Sequence, residues 1–456
     1  MISHACPIIV LDDVRKELLE VAHGLGVCGL PVMSHLVNEG TLERVPSRPY
    51  TGIRLLVTDL HLLGPTQTKK EQYIGALISF TKQLVSPSTY LVVFWSNYAE
   101  EAAEAWAYLS TRIDPALKPF GYEVLPKDIA SAAANGDVEA IKNIQSAIDA
   151  IIKKYPQLQA VMEWEASVSR SAAETTNELV RTITQGGATF ENQDHVKKVM
   201  ARMAQEALGY PHAPASPTKG IVQALLPIAQ DCLEREASNG YLDAFLEIPN
   251  AEKIGLPNND LVPLLNDFFI HSANSDVSPL DRGAVIRLSE VYLNDKEAGL
   301  SRDVGPTDVA GDWRETVCRE FAHSWNATTK ENQDVIKKAL DGKNIYAVEL
   351  SADCDYAQNK PRAQRFLFAL FVSSDAPKPF FSNGKGGANE SIYVTPEIHI
   401  EKIRGRLLVS CRIFFTKPHG SAPDGKSITR LRKDVIDEIS HQYSSHMRRP
   451  GKIAFY

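Results

Sequence analysis

The sequence predicts an α/β front, an α-helical middle region and a small β-rich C-terminal domain. Residues 6 to about 132 alternate short apolar runs with amphipathic stretches, as a parallel sheet with helices on both faces requires. From Asp137 to Leu208 a long helical periodicity takes over. Beyond about residue 280, runs rich in Val, Ile, Phe and Tyr return between clusters of Gly, Pro, Asn and Asp. A chain of 456 residues is too long for one core. The expected division is 1–132, 133–280 and 281–456.

The elements can be justified in chain order. Pro7-Ile-Ile-Val-Leu11 reads as a strand, and Leu18, Leu19 and Val21 among charges read as the helix that leaves it. Arg54-Leu-Leu-Val-Thr58 is a second apolar strand run, succeeded by helical spacing over Lys69 to Leu84. Tyr90 to Trp95 and Tyr122 to Leu125 complete the strands of the front. In the middle, Val138, Ile141, Ile144, Ile148 and Ile151 recur at three or four positions and give one apolar helix face. Pro156 interrupts this helix or starts the next, which runs to Gln185 before the stop at Gly186-Gly187. Asp194 to Leu208, Gly220 to Glu236 and Asp260 to Phe269 are further helices, with a Gly- and Pro-rich loop over 209–217. At the end, Ile345 to Leu350, Arg365 to Ser373, Ser391 to Thr395 and Leu407 to Phe415 read as strands of a small β-rich domain, for which a barrel is one possible form. Thr429 to His446 reads as a closing helix.

Composition narrows the functional classes. Hydrophobic residues at 44% and charged residues at 23% are ordinary for a folded protein. No apolar run approaches the length of a membrane span, and the N-terminus lacks the pattern of a signal peptide. The six cysteines are scattered and form no C-x-x-C, which argues against a zinc ribbon and fits reduced thiols in a cytosol. A soluble, cytoplasmic protein is expected. The net charge of −7 hides an asymmetry: residues 401–456 hold 12 Lys or Arg against 5 Asp or Glu. A basic end of this kind is either a solvated surface or an attraction for a polyanion such as nucleic acid.

The chemistry gathers at strand ends. The first strand delivers Asp12 and Asp13, the second Asp59, the third Ser96, and the fourth leads almost at once to Lys127. In an open α/β sheet such carboxyl ends converge on one crevice. Three carboxylates, a hydroxyl and an ammonium suit a Mg²⁺-assisted site that takes a phosphoryl group onto a carboxylate. Asp13 precedes Asp59 by 46 positions, room for one helix, one strand and one more helix. An aspartate at a strand end also serves as a turn residue or helix N-cap, so the set matters more than any member.

Residues 6 to about 132 resemble the receiver domain of two-component response regulators. The matching pieces are Ile-Val-Leu-Asp12-Asp13, Leu-Val-Thr-Asp59, Val-Phe-Trp-Ser96 and Val-Leu-Pro-Lys127. The resemblance implies a flavodoxin-like, five-stranded parallel sheet, with Asp59 as phosphoacceptor for a histidine kinase. It further implies Mg²⁺ held by Asp12, Asp13, Asp59 and the backbone carbonyl of His61, with Ser96 and Lys127 on the phosphoryl oxygens. Asn97 stands where receivers place a small residue, Pro126 precedes the lysine instead of coming after it, and Leu125 replaces an aromatic residue. These differences mark a divergent receiver. A degenerate receiver serving only as a scaffold is the alternative.

Elsewhere the signals are weaker. Glu163, Glu165, Glu174 and Glu178 lie on one long helix with Trp164 and Arg170, more in keeping with a solvated face or a dimer seam than with a metal. Asp353, Cys354 and Asp355 cluster after a strand, and a thiol nucleophile there needs a base such as His399 or His419. Gly384-Lys-Gly-Gly387 lacks the spacing of a phosphate loop and reads as a hairpin turn. Arg448 and Arg449 suit an anionic partner or the helix end before them. Three outputs are therefore expected to compete: an interaction or dimerising module, a nucleic-acid binder using 401–456, and an enzyme built on Cys354. The absence of a familiar output module leaves room for a specialised stress or phage-defence relay.

Overall fold

The structure is a computed structural model that describes residues 8–27, 29–63, 70–96, 99–127, 133, 135–187, 191–237, 254–272, 276–295, 299–300, 313–322, 329–339, 342–352, 362–375 and 391–447. The chain divides into two compact units, Met1–Ala188 with Leu225–Ile248, and Thr189–Ala224 with Pro249–Tyr456. The residues between 133 and 280 are thus shared between the two.

The first unit is built on six strands: β1 (Ile8–Asp12), β2 (Val32–Asn38), β3 (Thr41–Leu42), β4 (Leu55–Thr58), β5 (Leu91–Trp95) and β6 (Tyr122–Leu125). Their spatial order is β3-β2-β1-β4-β5-β6. All neighbours are parallel except β2 and β3, which form a hairpin. The central strands β1, β4 and β5 are buried along their whole length, as their unbroken Leu, Ile and Val runs demand of a sheet covered on both faces. One face, through Ile9, Leu11, Leu56 and Phe94, packs on α2 (Lys70–Leu84) and α3 (Ala99–Arg112). The other, through Ile8, Val10, Val57 and Val93, packs on α1 (Arg15–Val27), α4 (Val138–Lys153) and the start of α5 (Pro156–Gln185).

The gap before Asp59 departs from expectation. Its second helix is replaced by the β2–β3 hairpin and an irregular segment over 43–54. The residues explain the change. Glu39 and Gly40 both take positive φ, 48° and 77°, the pairing that a two-residue hairpin turn needs. Pro46, Pro49 and Gly52 then deny a helix to the segment beyond the hairpin. Tyr50 and Ile53 from this segment fill the face of the sheet in the helix's place.

The helical middle matches the sequence closely. Asp137 caps α4 by accepting from the N–H groups of Glu139 and Ala140, and Pro156 occupies the first turn of α5. The next helices are α6 (Gln193–Leu208) and α7 (Pro217–Ala237), the latter containing Pro227.

In the second unit, α8 (Leu261–Ile270) precedes a seven-stranded sheet: β7 (Ala284–Leu288), β8 (Ile345–Glu349), β9 (Gln364–Ser373), β10 (Ile392–Val394), β11 (Ile398–Ile400), β12 (Ile403–Lys417) and β13 (Gly425–Arg430). The order is β10-β12-β9-β8-β7-β13, with β11 also on β12. Strands β10 and β13 stand at opposite ends of this path, so among the described residues the sheet does not close into the barrel that was one possible form. Its faces bury two separate clusters, one with α9 (Glu290–Asn294) and α10 (Trp313–Phe321), the other with α12 (Lys433–Met447) and Ile270 of α8. A further helix, α11 (Lys330–Ala339), lies between α10 and β8 in the chain. Thr429 belongs to β13, so the closing helix starts later than its composition suggested.

Candidate functional site

Parallel strands aim their carboxyl ends the same way, and β1, β4, β5 and β6 bring the residues after them to one edge of the sheet. Asp12 is the last residue of β1 and only 1% exposed. Its Oδ1 accepts from the N–H of Val14 at 2.8 Å, which turns the chain into α1 and leaves Oδ2 for other partners. Asp59 comes directly after β4 and is 9% exposed. Its Oδ1 accepts from the N–H of Leu60 at 2.6 Å, and its own N–H donates to Leu11 of β1 at 3.0 Å. Each aspartate thus spends one oxygen on the local backbone and keeps the other for the site.

Lys127 meets those remaining oxygens. Its Nζ lies 2.9 Å from Asp59 Oδ2 and 3.6 Å from Asp12 Oδ2, and it is hydrogen bonded to Glu17 Oε2. Glu17 belongs to the first turn of α1. Burial alone lowers the lysine's pKa, but the hydrogen bonds to Glu17 and Asp59 and the charge of Asp12 more than offset it, and the net shift is upward. Asp12 goes the other way from a normal carboxylate. Burial lifts its pKa to about 7, against the opposing pull of the Val14 N–H and Lys127, with Asp59 and Glu17 adding repulsion.

Three carboxylates against one ammonium leave an acidic excess in a confined space. Oxygens of Asp12, Glu17 and Asp59 all lie within 4.8 Å of one another, so this trio could hold a metal ion. An all-oxygen donor set of this kind suits a hard divalent cation. Asp13, next to Asp12, is half-buried, but the converging group contains Glu17 and not Asp13. Glu17 escapes a reading of the sequence, because an acid in the first helical turn is explained by the helix dipole alone. The available signal was its place one turn into the helix that leaves the strand bearing Asp12.

Ser96 is buried directly after β5, its N–H donating to Leu125 of β6 at 3.1 Å, so it stands at the same sheet edge. His61 lies 3.4 Å from Glu101 of α3 through Nε2, and its ring is 5.1 Å from that of Tyr73.

The weaker signals of the sequence have structural roles or fall elsewhere. Glu165 pairs with Arg54 at the amino end of β4. Arg170 pairs with Glu236, while Glu174 and Glu178 line a shallow polar groove with Arg181 and Arg235. Among the described residues these glutamates join no metal-binding cluster. Asp353, Cys354, Asp355, Gly384–Gly387, Arg448 and Arg449 lie outside the described residues. His399 is bound to Asp267, Nδ1 to Oδ2 at 2.7 Å, and His419 is exposed. Cys232, Cys318 and Cys411 are buried and belong to no disulfide. No described helix is long and apolar enough to cross a membrane.

Neither a scan of protein-family models nor a search of curated proteins gave a match to this chain.

Proposed function

We propose that the first unit is a receiver-type phosphoacceptor in which Asp59 takes a phosphoryl group from a histidine kinase in the presence of Mg²⁺. The observation that carries this reading is the convergence on Lys127. A residue just past the edge strand β6 reaches the free oxygens of two aspartates borne by β1 and β4. Setting the β3 hairpin aside, the parallel strands run β2-β1-β4-β5-β6, which is the strand sequence of the flavodoxin-like sheet. That supports the five-stranded receiver framework.

In this reading Asp12, Glu17 and Asp59 hold the cation, with Asp13 adjoining. The bound ion would neutralise the phosphoryl oxygens as they approach an acidic site. Asp59 Oδ2 is the nucleophile, since Oδ1 is held by the backbone. It forms a bond to phosphorus as the phosphorus–nitrogen bond of a phosphohistidine breaks, and the electron pair leaves with the imidazole. Lys127, already beside Oδ2, pairs with a phosphoryl oxygen, and Ser96 donates to another. Water later attacks phosphorus and restores the carboxylate.

The second unit is read as an interaction module that relays or buffers the signal. Three of the basic residues of its C-terminal stretch are engaged at home: Arg404 by Glu397, Arg412 by Glu320 and Lys433 by Asp437. This weakens the nucleic-acid reading, which a steep loss of affinity with salt would support.

The test is incubation with acetyl phosphate and Mg²⁺, then intact mass. Wild-type protein should gain one phosphoryl group, Asp59→Asn none, and Lys127→Ala should react at least about tenfold more slowly. Equal labelling of wild type and Asp59→Asn would refute the assignment.

A further inference from the structure

Helix α8 is amphipathic in the wrong sense. Pro263 and Ile270 are buried, and the polar residues between them turn inward as well. Asn266 donates to the carbonyl of Glu397 at 2.8 Å. Asp267 accepts from the backbone N–H and from Nδ1 of His399, both at 2.7 Å. Positions 263, 266, 267 and 270 therefore form the docked stripe, at helical spacing. The opposite stripe, Leu261, Leu264, Leu265 and Phe268, is flanked by Val262 and Phe269, and these six side chains are 37% to 66% exposed. A helix ordinarily buries its apolar face and wets its polar one. Here two side-chain anchors hold the apolar face outward.

We infer that this face is a dimerisation surface, and that two copies of the chain pair through antiparallel α8 helices about a two-fold axis. At roughly 150–200 Å² for a fully exposed large side chain, the six leave on the order of 500 Å² of apolar surface. That is more than half of the roughly 800 Å² that each partner contributes to a standard interface. Contiguous apolar patches of this size mark interaction sites. The charges select a second copy. Asp260, 79% exposed, stands at the amino end of α8 beside Arg404 at 3.6 Å. Arg432 stands at the carboxyl end, its Nε donating to Phe268 O at 2.8 Å and its guanidinium 5.5 Å from the Phe268 ring. Arg404 is held more closely by Glu397, at 2.7 Å, so the amino end offers the exposed Asp260 and the carboxyl end Arg432, and these complement each other when the helix meets its own copy reversed. An isologous contact of this kind closes after two subunits. Leu265 then faces its counterpart near the axis, and Leu261 packs against Phe268.

Sedimentation velocity on the full chain tests this independently of any phosphate chemistry. Wild type should sediment as a dimer at tens of micromolar, and Leu265→Glu and Phe269→Glu should each sediment as monomers with unchanged circular dichroism. Asp260→Arg should weaken the dimer at least about tenfold, and adding Arg432→Glu should restore it. The proposal is overturned by a wild type that stays monomeric to about 100 µM. It is equally overturned by a dimer indifferent to Leu265→Glu and Phe269→Glu, or by a monomer that instead binds phosphatidylserine vesicles through this face.

Discussion

Lys127 is the residue on which the site turns, because a single ammonium holds together carboxylates borne by β1, α1 and β4. Asp12 is the acid that burial has made reluctant to ionise, with a pKa of about 7. Its folded pKa exceeds its unfolded one. In the metal-free protein its contribution to stability is therefore complete below the unfolded value near 4 and is lost as pH rises through about 7. A cation needs the carboxylate form, so binding must expel the proton. Mg²⁺ affinity should accordingly fall by up to about tenfold for each pH unit below 7, with close to one proton released per ion at about pH 6. Calorimetry in buffers of different ionisation heat measures both. An affinity that does not change with pH across this range would count against Asp12 as a ligand. Asp12, Asp59 and Lys127 were legible in the sequence because each stands just past or at the end of an apolar strand run. Glu17 was not, since nothing in a one-dimensional pattern tells an acid that favours a helix start from one that also reaches a neighbouring strand's end.

At the scale of elements, the legible ones were those whose burial is extreme or whose period is long. Strands β1, β4 and β5 are fully buried and read as unbroken apolar runs, and α4 to α7 extend over several turns. Strand β2 escaped because Ser34, His35 and Asn38 interrupt its apolar pattern, and its burial is correspondingly patchy. Helices α9, α10 and α11 are short, and Trp313–Phe321 is largely polar, so periodicity had little to show. Long-range pairing was also out of reach. Arg54, 5% exposed, is the clamp between the sheet and α5. Its guanidinium donates to Glu165, to the Ser88 hydroxyl at 2.8 Å and to the carbonyls of Ile53 and Thr89 at 2.8 and 3.1 Å. Arg54→Ala strands those acceptors. Glu165 is partly exposed and solvent screens it, which moderates the loss to about 2–3 kcal/mol. Urea denaturation should show that drop, while Glu178→Ala on the exposed side of α5 should lie within about 0.5 kcal/mol of wild type.

Over the whole molecule, two compact units on one chain should respond separately to a ligand that only one of them binds. Mg²⁺ at about a hundred times its dissociation constant adds roughly 2.7 kcal/mol to the state that binds it. In differential scanning calorimetry this should raise the transition of the unit containing Asp12, Glu17 and Asp59 by a few degrees. The other transition should not move, and neither should move in Asp12→Asn with Asp59→Asn. The most direct test of the phosphoacceptor assignment fixes the chemistry to one carbon atom. Protein treated with acetyl phosphate and Mg²⁺ is reduced with borohydride, which converts an aspartyl phosphate to homoserine, and the peptides are sequenced. Homoserine at position 59, absent without Mg²⁺, is the predicted result. Homoserine at another aspartate, or at none, would contradict it.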